Sequence, residues 1–255
     1  MIKRELVFDR SFVAWNASYL LIRLHSLLTV FNQESNQFYV TMLKGYKFTF
    51  NYPNDPDPFK RKIPCVFSKA QASERKLLIC FSGHKGRFNM PIPIFHSIVS
   101  RYFTDVMYFH DKSQDFFIGK EDEIFDAIRD FRSMHSFAKI SSIGTSGGAH
   151  MPIILTNKKI CTKSISCSPA LKTYGIRKGR DIKFNFLSNR LFYCSSHRID
   201  KYQMCEFLNR YSEFTCSNVV DLASISKKSK GSHATLATLV MNGLIDNELS
   251  WLSSF

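Results

Sequence analysis

From residue 76 onward the hydrophobic positions alternate between two rhythms. Residues 77–81 form an unbroken apolar run, which predicts a strand buried on both faces. Residues 92–103 suit a helix, and 105–109 return to a strand. Across 121–137, Ile124, Phe125, Ile128 and Phe131 fall on one helical face. Further strands are predicted at 140–143, 160–167, 190–195 and within 214–222. Helices are predicted at 148–157, 199–211 and 233–252. Strand and helix alternating over 76–252 predict an α/β domain, with a mostly parallel central sheet and helices on both faces.

Residues 1–75 read differently. Two β-like runs within 38–52 flank Lys44-Gly45, a hairpin signal, and 63–67 make a further short strand. Pro53, Pro56 and Pro58 mark the loop between them. The expected organisation is a β-rich N-terminal lead-in, 1–75, packed on the main sheet of a larger domain, 76–255. Within that domain, 168–190 is a candidate small cap.

The most informative stretch is Lys139 to His150, where a short β-prone run meets Gly144-Thr145-Ser146-Gly147-Gly148 and a helical run follows. This is G-x-S-x-G in a strand–turn–helix setting. Ser146 would sit on a strained turn with its hydroxyl thrust out of the sheet. A side chain at 144 or 148 would collide with that turn. The backbone N–H of Gly147 would point to where an oxyanion forms. A second donor is expected from the loop after the first strand of the α/β portion, Ser82-Gly83-His84-Lys85-Gly86, from the backbone of Gly83 or His84.

A serine hydroxyl needs a base to take its proton, and the base needs an orienting acid. In this architecture the chain order is serine, acid, histidine, with the later two just beyond strand ends. Asp200 follows the strand at 190–195, and Asp221 and then Asp111 are its rivals. His233 follows the last strand and opens a helix, which makes it the expected base. His150 reads as packing or site lining. His197 reads as a loop histidine within reach of substrate.

These residues carry a resemblance. Over roughly 76–252 the chain resembles α/β-hydrolase-fold serine enzymes. More narrowly, it is similar to the α/β-hydrolase-type O-acetyltransferases of bacterial capsule synthesis. The matching motifs are Gly144-Thr145-Ser146-Gly147-Gly148, Asp200-Lys201-Tyr202 and Gly231-Ser232-His233. The glycine usual after the acid-bearing strand is absent, and 1–75 have no counterpart. The resemblance implies acyl chemistry through an acyl-Ser146, ending in ester hydrolysis or O-acyl transfer, including O-acetylation of a polysaccharide. No resident cofactor is implied, and acetyl-CoA fits as an acyl donor.

Charge adds a partner class. The formal net charge is +14. Lys172, Arg177, Lys178, Arg180, Lys183 and Arg190 fall in 168–190, and Lys227, Lys228 and Lys230 precede His233. Such a rim, with Lys178, Arg180 and Lys228 as substrate contacts, would favour an anionic ester or glycan. No nucleic-acid-binding motif accompanies the charge, so nucleic acid is not expected as a partner. A non-catalytic binding protein with a basic surface is the alternative reading. The seven cysteines are scattered without a C-x-x-C, which predicts reduced core thiols, no metal site and a cytoplasmic protein. No signal peptide or membrane-spanning segment is read, which leaves peripheral membrane contact open.

Overall fold

The computed structural model describes residues 47–49, 65–68, 74–83, 88–90, 92–111, 115–179, 182–210, 218–224 and 233–255. The strands are β1 (Lys47–Thr49), β2 (Cys65–Ser68), β3 (Lys76–Phe81), β4 (Asp105–Phe109), β5 (Lys139–Thr145), β6 (Lys163–Cys167), β7 (Asn189–Tyr193) and β8 (Val219–Asp221). They form one sheet in the order β1-β2-β4-β3-β5-β6-β7-β8. From β4 to β8 every pairing is parallel. β2 joins β4 antiparallel, and β1 joins β2 antiparallel. The antiparallel edge is thus the part of the lead-in that falls within the described residues, and the Lys44-Gly45 turn lies outside them.

The helices are α1 (Ile92–Val99), α2 (Glu121–Met134), α3 (Met151–Asn157), α4 (Leu171–Lys178), α5 (Arg198–Arg210), α6 (Thr235–Met241) and α7 (Ile245–Ser253). β3 shows why the sheet is covered twice. Leu78 and Cys80 join a core with Phe95 of α1, Leu236 of α6 and Leu249 of α7. Leu77, Ile79 and Phe81 join a second core with Ile124, Ile128 and Phe131 of α2 and Met151 of α3. Side chains two apart share a face of a strand, so one continuous apolar run serves both layers. Among the described residues no helix is long and apolar enough to cross a membrane.

Several boundaries differ from the sequence pattern, each for a local reason. The predicted helix 233–252 is two helices, because Gly243 adopts a left-handed φ of 68° and turns the chain between α6 and α7. The helix predicted from 92 ends at Val99, whose carbonyl accepts the N–H groups of both Tyr102 and Phe103. β6 starts at Lys163, not 160, because the chain is still turning at Lys159 (φ 58°). Residues 146–148 form a 3₁₀ turn before α3 begins at Met151.

The C-terminal residues fasten the amino ends of two central strands. Lys139 of β5 donates to the Ser254 carbonyl, and Lys163 of β6 reaches the carbonyls of Trp251 (3.1 Å) and Ser254 (2.9 Å). Ser141 Oγ donates to the Leu252 carbonyl at 2.8 Å. Of the cysteines, Cys80, Cys161, Cys167 and Cys194 are free and buried, and Cys205 is free and half-buried. Burial pushes the Cys161 thiol up to about 12, so it packs as a small apolar group.

Among the described residues two histidines are buried, His96 and His150. Desolvation pushes the His96 ring down to about 3 and the His150 ring down to about 4. In the unfolded chain both titrate near ~6.5. Between those values the unfolded chain binds more protons than the folded one. The stability these neutral rings supply is complete above the unfolded value and falls with pH toward the folded ones. Urea midpoints should therefore drop as pH is lowered from about 6.5 to about 4. His96→Gln should flatten that slope, and a slope identical in the variant would remove His96 as its source.

Candidate active site

The site begins at the end of β5, the strand between β3 and β6 in the sheet. Thr145 is extended (φ −132°, ψ 143°), and the next residue, Ser146, has a φ of 52°. A non-glycine residue held in the left-handed region is strained, and strain of this kind collects at functional positions. It is maintained by close packing. A Cβ on Gly144 would stand 2.6 Å from the Gly148 carbonyl oxygen and 2.9 Å from Ala149 Cα. A Cβ on Gly148 would stand 2.5 Å from the Ser82 carbonyl oxygen and 2.9 Å from Phe81 Cβ. Both glycines are thus required by contact, as the motif implied. From the far side, Thr145 Oγ1 donates to Asn89 Oδ1 at 2.9 Å.

Ser146 Oγ lies 2.6 Å from His233 Nε2. The other ring nitrogen, Nδ1, is hydrogen-bonded to Asp200 Oδ1. Asp200 stands in the first turn of α5 and is 1% exposed. Its second oxygen, Oδ2, accepts from Ser168 Oγ (2.6 Å) and from the Cys194 N–H (3.1 Å). His197 Nδ1 lies 3.3 Å from Oδ1. Burial alone would raise the Asp200 carboxyl. The hydrogen bonds from His233 and Ser168, the charge of His233 and the Cys194 amide outweigh it and hold the group below its ordinary value. Asp200 is therefore an anion at neutral pH, aimed at the His233 ring.

Ser168 was not singled out from sequence. It follows β6, has a φ of 51°, and its hydroxyl also lies 3.1 Å from Thr235 Oγ1. The one available signal was its place, directly after a strand end in the same series as Ser146. The rival acids have other partners. Asp221 accepts from the N–H groups of Ser195 (3.0 Å) and Ala223 (2.9 Å), which closes a loop. Asp111 accepts from the Phe117 N–H at 3.0 Å and pairs with Lys120. His150 packs its ring against Tyr174 of α4, 4.8 Å between centroids.

The two oxyanion candidates among the described residues lie beside the serine. Gly147 is in the turn itself, and Gly83 follows Ser82, whose carbonyl touches Gly148. Phe116 closes over Gly147, its ring edge 2.7 Å from where a Cβ there would be. His84, Arg180 and Lys228 lie outside the described residues.

Four cations of the basic segment have acidic partners. Lys178 pairs with Glu121 of α2 at 2.9 Å, and Arg177 with Asp115 at 3.8 Å. Lys172 pairs with Glu206 of α5 at 2.9 Å. Arg190 sits near the amino end of β7, away from the elbow, and pairs with Glu248 at 2.7 Å. Each partner comes from a distant part of the chain, so counting acids within 168–190 overstated the unbalanced charge. The Lys178–Glu121 and Lys172–Glu206 pairs tie α4 onto α2 and α5.

No protein-family model matches the sequence, and no curated protein sequence does. Solved structures do resemble it. One is a serine hydrolase of the α/β kind from Xanthomonas campestris, described as lacking a lid. It is 13% identical, with a TM-score of 0.51 over 75% of this chain and 91% of its own. Another is an acylaminoacyl peptidase bound to a chloromethyl ketone. It is 10% identical, with a TM-score of 0.50 over 83% of this chain and 43% of its own. The chain has the α/β-hydrolase fold. Within that fold Ser146 stands at the carboxyl end of a central parallel strand, Asp200 follows β7, and His233 follows β8.

The elbow gives a packing test. Gly148→Ala must push its methyl into the Ser82 carbonyl, which is backbone and cannot swing aside. Overpacking of this kind costs about 1–3 kcal/mol, which a urea melt will register as a lower midpoint. A midpoint equal to wild type would show that the β3–β5 contact gives way easily.

Proposed function

We propose that the protein is a serine esterase that works through an acyl-Ser146 intermediate. The observation that carries this reading is the continuous relay from Ser146 Oγ to His233 to the buried Asp200 carboxylate, starting from a serine at φ 52°. Three groups that follow three different strands meet in the order that activates a hydroxyl.

In the proposed reaction Ser146 Oγ attacks the ester carbonyl carbon while His233 Nε2 takes the hydroxyl proton. Asp200 keeps the other ring proton on Nδ1 and stabilises the imidazolium. The N–H groups of Gly147 and Gly83 serve the developing oxyanion. The tetrahedral intermediate then collapses and the carbonyl–alkoxy bond breaks. The leaving oxygen takes the proton from His233 Nε2. A water molecule, deprotonated by the same nitrogen, attacks the acyl-enzyme and regenerates Ser146. His84 would extend the oxyanion loop.

A sugar hydroxyl in place of that water would make the reaction an O-acyl transfer. The motif resemblance to capsule O-acetyltransferases supports that variant, with acetyl-CoA as a donor to test. The ion pairs at Lys172, Arg177 and Lys178 weaken the case for an anionic acceptor, because these cations are already matched. Hydrolysis is therefore the reading we favour.

The test combines labelling and turnover. Wild-type protein should react with a fluorophosphonate and cleave short-chain p-nitrophenyl esters. Ser146→Ala should abolish both while keeping its melting temperature. Asp200→Asn should cost on the order of a thousandfold or more in turnover, because the ring loses its enforced tautomer. An unlabelled wild type would leave the non-catalytic binding reading in place. Acetyl transfer to polysaccharide acceptors, followed by mass spectrometry with acetyl-CoA as donor, decides between water and sugar as acceptor.

A further inference from the structure

The proposed reaction uses one histidine on Asp200, yet the structure places two there. His197 Nδ1 is 3.3 Å from Asp200 Oδ1, the same oxygen that holds His233 Nδ1. The two rings lie 5.2 Å apart, tilted by 31°. A ring nitrogen from each histidine and an oxygen from Asp200 all fall within 4.8 Å of one another. The side chains of His197 and His233 are 20% and 29% exposed, so this donor set opens to solvent on one side. Asp200 is fully enclosed and held from behind by Ser168 and Cys194.

We propose that His197, Asp200 and His233 form a binding site for a borderline divalent metal ion of the Zn²⁺ type, and that its occupation switches the serine site off. The donor set suits such an ion. Two imidazoles and a carboxylate are a standard three-ligand set, with a fourth position left for water. Ligand bonds near ~2.0–2.1 Å set donor atoms roughly 3.3 Å apart. His197 Nδ1 and Asp200 Oδ1 already stand at that distance, so the two ring nitrogens, within 4.8 Å, close by up to about 1.5 Å while His233 Nδ1 backs away from Asp200. The exposed rings can turn to do so, while Asp200 stays fixed.

The inhibitory half rests on the proposed function. A metal on His233 Nδ1 takes the lone pair of that nitrogen. The neutral ring then carries its one proton on Nε2, moved there from Nδ1 with no net proton gained or lost. Nε2 becomes a donor toward Ser146 Oγ and can no longer accept the hydroxyl proton. The ion also takes the Asp200 oxygen that orients the ring. Ser146 is left in place without a base.

Two measurements separate the halves. Calorimetry with Zn²⁺ should show one equivalent bound by wild type and by Ser146→Ala with equal affinity, since Ser146 is not a ligand. His197→Gln, checked for an unchanged melting temperature, should lose about tenfold or more in affinity. Co²⁺ in place of Zn²⁺ should give visible d–d bands without thiolate charge-transfer absorption, a readout that needs no variant. Zn²⁺ should slow fluorophosphonate labelling of the wild type by at least about tenfold, reversed by chelation. Absence of stoichiometric binding overturns the site, as does binding unchanged in His197→Gln or a thiolate spectrum. Binding that leaves labelling unslowed overturns the switch. A wild type that never labels, but binds the metal, overturns the esterase reading alone.

Discussion

A buried carboxylate is the constraint around which this end of the molecule is arranged. Asp200 is enclosed in the protein, and an enclosed anion is tolerable only if donors surround it. Its donors come from the turn after β6 (Ser168), the end of β7 (Cys194) and a residue that follows β8 (His233). Three successive strand ends are thus drawn to one point. The parallel sheet makes this feasible, because it delivers every one of those ends to the same edge. The histidine that faces Ser146 is positioned as part of satisfying that charge.

The second requirement is steric. Ser146 is kept in a left-handed conformation because there is no room for the chain to relax. Gly148 is pressed against the backbone after β3, and Gly144 against the turn itself. The hydroxyl and the carboxylate are therefore set by different means, one by crowding and the other by charge. They meet only through the His233 ring. The proposed reaction needs close placement of all three groups, and it benefits when two of them are fixed independently.

The sequence disclosed the parts with local signatures. Buried parallel strands announce themselves as apolar runs: β4 matches its expected bounds, and β3 begins one residue earlier, at Lys76. The elbow is spelled by glycines whose absent side chains are a local requirement, so the tight turn at Ser146 is legible in five residues. Asp200 and His233 needed chain order as well, since nothing in their neighbourhoods distinguishes them from Asp221 or another loop histidine. What stayed hidden was contact between distant segments. Ser168 supports Asp200 across 32 positions, and Lys178 meets Glu121 across 57. Neither partner is predictable without the fold. The same holds for Lys172, Arg177, Lys178 and Arg190, whose acidic partners lie elsewhere along the chain. The break at Gly243 was legible in principle, since an isolated glycine in a helical pattern often marks an end.

The fastening of the last residues beneath β5 and β6 gives the molecule a mechanical continuity between its two edges. α6 starts two residues after His233, and α7 ends where Lys139, Ser141 and Lys163 grip the chain. The histidine loop is thus one end of a short tether whose other end is anchored under the same strand that carries Ser146. Slack introduced at the anchor, by loosening Lys139 or Lys163, would be transmitted along two short helices to the ring. Ser146 and His233 are consequently linked through the two helices that pack in one core layer and end at the anchor on β5. Evolution or engineering could tune their spacing from the opposite side of the protein, without altering any group that touches a substrate.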